Sequence, residues 1–355
     1  MAETDATLGR SKLHEIADQA HVSLSTVSKV LNGRSDVAAA TRQRVEGILD
    51  AHGYQRRSGL PGRNTLIELV FPDLDTVWAM ELIRGVENVA KANGLSVVVT
   101  ESGNRHSPSP DWISGVLRRR PVGVVLVFSD LPDDAKAQLR SRAIPFVIVD
   151  PAGDPTPDVP SVGSANWAGG LMATRHLIEL GHSRIAAITG PDDMMCSHAR
   201  LDGFRSAMNT AKLPVDESLV AFGNFHVDGG RDNARAMLER DDRPTAIFAG
   251  SDLQALGVLD AARSLGIQVP SQLSVVGYDD LQLAQWSSPA LTTVHQPLTR
   301  MAEEAARLII RMSESELDQV PRVDLATRLV VRESTARYPD KIAEIAEIAE
   351  IAETD

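Results

Sequence analysis

From Leu66 onward the chain alternates short, almost purely apolar runs with amphipathic stretches, and few architectures can use such a pattern. The runs are Leu66–Phe71, Ser96–Thr100, Gly123–Phe128, Phe146–Val149, Arg184–Ile188, Ala246–Ala249 and Leu273–Val276. A strand apolar at nearly every position, rather than at every second one, has to be buried on both faces. Parallel sheets with helices on each side provide that burial, and the amphipathic stretches between the runs supply the helices. An α/β core is therefore expected over residues 65–338.

The first 54 residues read differently. Leu13, Ile16, Ala17 and Ala20 keep helical spacing up to a break at His21–Val22, and Ser23 is a suitable cap for a second helix whose stripe is Val27, Val30 and Leu31. Asn32–Gly33 stops it. A third helix is expected from Ala39 to His52, with Val45, Ile48 and Leu49 inward. Two short helices and a tight turn outline a helix-turn-helix, here an all-α headpiece at 11–54 that is too small to be an enzyme. Residues 55–64, basic and rich in Gly and Pro, read as a hinge or linker.

Charge is read by segment. The net charge is -12, yet Met1–Arg63 carries about +2, so the acid lies away from the headpiece and a local basic surface for nucleic acid is retained. A single cysteine, Cys196, excludes a disulfide framework or a cysteine zinc site, and the acidic, polar start lacks the order of a secretory signal. No apolar run is long enough to span a bilayer. These features lead us to expect a cytoplasmic protein without membrane association, metal or cofactor. Residues 339–355 are an acidic tail in which Ile-Ala-Glu occurs four times from Ile342 to Glu353; its period of three fits no zipper, which favours a solvated helix or extension over an oligomerisation segment.

The run from Leu13 to Gly33, with Thr41–Val45 and Gly53–Tyr54, resembles the lactose-repressor (LacI/GalR) family. Matches continue at Ile83–Val86, Leu177–Ile185, Arg200–Phe204, Ser251–Asp252, Val275–Asp280 and Pro289–Pro297, so the resemblance spans about residues 11–337. It implies a periplasmic-binding-protein-like core of two Rossmann-like lobes with a ligand cleft between them. Lobe 1 is expected at about 65–162 and 296–322, lobe 2 at about 165–293 and 325–338, with crossings near Val162–Ala165, Thr293–Pro297 and Arg322–Ala326. The segments Leu66–Phe71 and Trp78–Glu87 are similar to actinobacterial members that respond to oligosaccharides from plant polysaccharides.

The resemblance also implies roles. Leu24, Ser25 and Lys29 would face bases in the major groove, Leu24 toward thymine methyls and Lys29 toward guanine acceptors, while Ser23, Thr26, Ser28 and Asn32 would hold phosphates. Val22, Val27 and Val30 belong to the core. Two departures stand out: the third helix opens Val37–Thr41 without the usual Ser or Thr cap, and the hinge is short. Leu60 is a candidate minor-groove wedge, but the adjacent Pro61 favours a flexible basic linker in which Arg56, Arg57 and Arg63 attract phosphates.

A sugar needs polar side chains for its hydroxyls and aromatic faces for its C–H surface. Arg200 and Asp279 are the leading candidates, followed by Asp150 at a strand end. Trp78, Phe225 and Trp286 are expected to sandwich a pyranose, with Trp167 also on a cleft-side loop. Ser251 replaces the Asn common in relatives, Gln296 lies at a crossing, and Asn104 and Glu101 fall near the cleft. The expected partners are a near-palindromic DNA operator, a sugar effector of xylose, xylo-oligosaccharide or cello-oligosaccharide type, and a second copy of the chain in a homodimer. Release of repression by sugar is the default, corepression the alternative. A secreted sugar-binding protein or an α/β enzyme are rivals of another class; dinucleotide, P-loop, serine-hydrolase and zinc-protease motifs are absent, and Cys196 with His198 is the one neighbouring pair that suggests a nucleophile.

Overall fold

The computed structural model describes residues 15–31, 37–51, 65–74, 77–103, 109–128, 131–151, 156–314 and 320–338. The chain divides into two compact units between Thr65 and Leu66.

In the first unit, a helical segment at 15–19 (α1) is followed by α2 (Leu24–Leu31) and α3 (Ala39–Ala51). The turn between α1 and α2 is tight: His21 takes a left-handed φ of 50°, and Val22 N–H donates back to the Ala17 carbonyl at 3.0 Å. Ser23 then starts α2 by accepting the Thr26 N–H on its hydroxyl at 3.2 Å, which satisfies one of the orphan donors of a helix start. Ile16, Ala17, Ala20, Val27, Val30, Val45 and Leu49 close over one another as a small core, with Val22, Val37 and Ile48 at its edge. α3 follows Ala38, whose carbonyl accepts from Arg42 N–H at 3.0 Å; an alanine there has no side-chain acceptor to offer.

The second unit holds two six-stranded sheets. The first comprises β1 (Leu66–Phe71), β2 (Ser96–Glu101), β3 (Gly123–Val127), β4 (Phe146–Val149), β5 (Ser161–Ser164) and β11 (Arg322–Leu325), in the order β11-β5-β4-β3-β1-β2 and parallel throughout. The second comprises β6 (Ile185–Thr189), β7 (Val220–Phe222), β8 (Ala246–Ala249), β9 (Ser274–Asp279), β10 (Thr292–His295) and β12 (Arg328–Val330), ordered β12-β10-β9-β8-β6-β7, with β12 alone antiparallel. Helices α4 (Val77–Ala92) and α12 (Leu298–Ser313) cover one face of the first sheet, while α5 (Pro110–Arg119) and α6 (Asp133–Ser141) cover the other. In the second sheet, α7 (Asn166–Glu179) and α8 (Met195–Thr210) lie on one face, α9 (Val227–Leu238) and α10 (Asp252–Ser264) on the other; α11 (Gln282–Trp286) is a short connector. Each fully buried Leu, Ile or Val of these interfaces stabilises the fold by roughly 1.5–3 kcal/mol.

The apolar runs become β1, β2, β3, β4, β6, β8 and β9, with ends shifted by at most a few residues. One run hides a charge. Glu68 in β1 is buried, and the sheet tolerates it because Arg119 of α5 donates from Nε to Oε2 at 3.0 Å and from Nη2 to Oε1, and Thr100 donates to Oε1 at 3.0 Å. The chain passes from the first sheet to the second between β5 and α7, returns between β10 and α12, and passes again between β11 and β12. Each sheet has its topological switch beside its first strand, so strand C-terminal ends from both lobes face a common cleft.

Candidate functional site

The cleft encloses about 710 Å³ of space, its open mouth included. Lobe 1 lines it with Phe71, Pro72, Asp73, Trp78 and Phe128, and lobe 2 with Met194, Arg200, Asn224, Phe225, His226, Ser251, Leu253, Asp279 and Leu281.

Arg200 organises the lobe 2 side. It comes from α8 and is almost fully buried, so its charge requires partners: Nε donates to Asn166 Oδ1 at 2.8 Å, Nη1 to the Gly250 carbonyl and Nη2 to Gln296 Oε1 at 3.2 Å. The guanidinium lies 3.7 Å from the Tyr278 ring centroid and 5.4 Å from that of Phe225, which adds cation–π attraction in a desolvated place. Asp279, at the end of β9, approaches to 4.0 Å. Burial pushes its carboxyl up to about 7, against the pull of Arg200. Asp252, at the start of α10, is also raised well above the usual carboxylate range, first by burial and then by Asp279; it accepts Thr293 Oγ1 at 2.6 Å and Leu281 N–H at 2.7 Å, a structural role. Ser251 caps α10 through the Gln254 N–H at 3.0 Å and donates its hydroxyl to the Phe225 carbonyl at 2.9 Å.

Phe225 packs on Gly190 so closely that a β-carbon there would sit 2.0 Å from its ring, which leaves glycine as the residue that fits. On lobe 1, Trp78 from α4 stacks on Phe128, centroids 4.6 Å apart and planes 15° apart. Phe128, Asp150, Phe225, Asp279 and Asp280 all take positive φ, between 46° and 109°, at or near strand C-terminal ends or in cleft loops. Such conformations cost of order 1–3 kcal/mol each and concentrate at functional sites.

Of the ligand candidates, Trp78, Arg200, Phe225, Ser251 and Asp279 meet in the cleft. Three do not. Asp150 is buried behind Arg200, where it accepts Gln296 Nε2 at 2.8 Å; burial raises its carboxyl, opposed by Arg200 and by hydrogen bonds from Gln296 and Asn166. Gln296 is equally buried and joins Asp150 to Arg200, so both residues are spent on linking the lobes rather than on facing the cleft. Trp286 corrects the expected sandwich: it is 72 % exposed at the end of α11, whose five residues bury Ala284 and turn the indole outward. Phe128 takes its place on the cleft wall. Glu101 is exposed at the end of β2 away from the lining, Trp167 lies half exposed in a separate cavity with Asp150, and Asn104 lies outside the described residues. Cys196 and His198 form no nucleophile pair: the thiol is buried and pushed up to about 12 by that burial, while the imidazole turns out to Asp192.

On α2, Ser25 and Lys29 are exposed, Leu24 and Thr26 are half-buried, and Val27 and Val30 point into the core, so one face of the helix is left for recognition. Ser23 Oγ lies 2.7 Å from Ser25 Oγ and 2.9 Å from Thr26 Oγ1, tying the three hydroxyls at the helix start. Ser28 lies on α2 with its side chain outside the described residues, as are Asn32, Arg56, Arg57, Leu60 and the tail. Among the described residues no group of His, Cys, Asp and Glu is placed to hold a metal, and no helix is long and apolar enough to cross a membrane.

Residues 12–57 match the family profile for bacterial regulatory proteins of the lacI family, and residues 174–335 match a periplasmic binding protein-like domain. The regulator CelR of Thermobifida fusca is 36 % identical over 338 residues, covering 92 % of this chain and 98 % of that protein. Among solved structures, a CelR–cellobiose complex is 34 % identical with a TM-score of 0.70, covering 91 % of this chain and 99 % of that one. A lac repressor dimer bound to operator and the anti-inducer ONPF is 25 % identical with a TM-score of 0.72, covering 91 % and 98 %. Headpiece, two-sheet core and full-length similarity together make this chain a member of the lacI family of bacterial regulatory proteins, transcriptional regulators rather than enzymes.

Proposed function

We propose that the protein is a dimeric transcriptional repressor that leaves its near-palindromic operator when an oligosaccharide of cello- or xylo- type enters the cleft. The observation that carries the effector reading is the composition of the cleft: a buried Arg200–Asp279 pair able to hold vicinal hydroxyls, set against the aromatic rings of Phe225, Trp78 and Phe128. Sugars present that combination of hydroxyl rim and C–H face. Similarity to a structure solved with cellobiose points the same way, and similarity to a repressor dimer on operator supports the two-fold assembly. On the DNA side, Leu24, Ser25 and Lys29 read bases from α2, and Ser23, Thr26, Ser28 and Asn32 hold the backbone. In the hinge at 55–64, Arg56, Arg57 and Arg63 add phosphate attraction, and Leu60 is the candidate minor-groove wedge.

The test is selection of duplexes from a near-palindromic pool, followed by titration of the complex with xylose, xylobiose, cellobiose and glucose. Release by a disaccharide is the expected result. Tighter binding on addition of sugar would reverse the sign to corepression, and indifference to all four sugars would overturn the effector assignment. Because coupling requires different affinities in the two states, release should be accompanied by an equal loss of sugar affinity on DNA.

A further inference from the structure

The two lobes divide the chemistry of the cleft unequally. Lobe 2 supplies Arg200, Asn224, His226, Ser251 and Asp279, whereas among the described residues lobe 1 supplies a single polar side chain, Asp73, beside Phe71, Trp78 and Phe128. The lobe 1 wall is also preassembled. Phe128 N–H donates to the Val149 carbonyl at 3.0 Å, which fixes its left-handed turn, and Trp78 stacks flat behind its ring. Trp78 is 8 % exposed while Phe128 is only half-buried, so Phe128 presents the free face of the stack.

From this we infer that Phe128, backed by Trp78, is a stereochemical filter in the cleft: it accepts pyranose rings whose hydroxyls are all equatorial and rejects those with an axial hydroxyl on the face turned toward it. The inference rests on the sugar-effector reading above. An all-equatorial ring turns only C–H bonds toward each face, and such a face packs on an aromatic ring without losing a hydrogen bond. One axial hydroxyl on that face puts a polar group against the ring of Phe128, which has no donor or acceptor of its own, and an unsatisfied buried hydroxyl weakens binding. Recognition of hydroxyls thus belongs to lobe 2, and discrimination between epimers arises when lobe 1 closes on the ring.

Cellobiose and lactose differ in the configuration of one carbon, equatorial in the first and axial in the second. Titration calorimetry of the full-length protein should show cellobiose binding at least about tenfold more tightly. Phe128→Leu, which keeps bulk and removes the flat face, should narrow the ratio to within about threefold, and Phe128→Tyr should retain it. Thermal unfolding of both variants verifies that they are folded. An undiminished ratio in Phe128→Leu, or its loss in Phe128→Tyr as well, would overturn the filter, as would equal binding of the two sugars by the unaltered protein. Failure of the unaltered protein to bind cellobiose, lactose or xylobiose would instead remove the effector reading itself.

Discussion

At the scale of single residues, burial in and behind the cleft raises three carboxyls, those of Asp150, Asp252 and Asp279. Asp279 takes its proton at about pH 7 in the folded chain because burial outweighs the attraction of Arg200, whereas an unfolded Asp releases it near 4. Between those values the folded protein holds a proton that the unfolded one has lost, so stability falls as pH rises from about 4 to about 7, by up to roughly 4 kcal/mol for this group. Asp150 and Asp252 are shifted in the same direction and steepen the slope. Urea unfolding across this range should show the decline, and Asp279→Asn should flatten it; an unchanged slope in the variant would place the effect elsewhere. Sequence patterns place Arg200, Asp279, Phe225, Trp78 and Ser251 on the lining of the cleft because they stand in motifs with fixed positions at strand and helix ends. They miss Phe128, which closes an apolar run and reads as one more buried strand residue; a φ of 48° turns it onto the cleft wall. They misplace Trp286 for the converse reason, since a tryptophan on a loop carries no signal of which side it faces.

At the scale of elements, the sequence shows those strands whose environment is uniform. β1, β3, β4, β6, β8 and β9 lie inside their sheets and announce themselves by apolar content. β7, β11 and β12 are edge strands of three or four residues, partly exposed, and their identity comes from the neighbour they pair with rather than from their own composition. In the headpiece the cap is legible and consequential. Ser23→Ala removes the acceptor for Thr26 N–H and should cost about 1 kcal/mol. Hydrogen exchange at residues 24–31 should accelerate about fivefold as a result, while exchange in the core sheets stays as it was. Protection unaltered in α2 would show that packing of Val27 and Val30 holds the helix start without the cap.

At the scale of the whole molecule, the lobes are tied by a buried chain of hydrogen bonds running from Asp150 through Gln296 to Arg200 and Asn166. Gln296→Ala leaves a buried carboxylate and a buried guanidinium each short of one partner, and should destabilise the core by about 2–4 kcal/mol in urea. A loss below about 1 kcal/mol would mean that water replaces the amide at no cost and that the link is incidental. The three crossings have a consequence for synthesis. β11 pairs with β5 through Arg322 and Ser161, and α12 seals the face formed by β3, β4 and β5, so the first sheet to begin is finished only after all of the second except β12 has been made. On the ribosome, the exposed apolar face of lobe 1 must therefore wait through some 130 residues of lobe 2 before its covering helix arrives. The interval between β5 and α12 is the period in which the nascent chain most needs a chaperone.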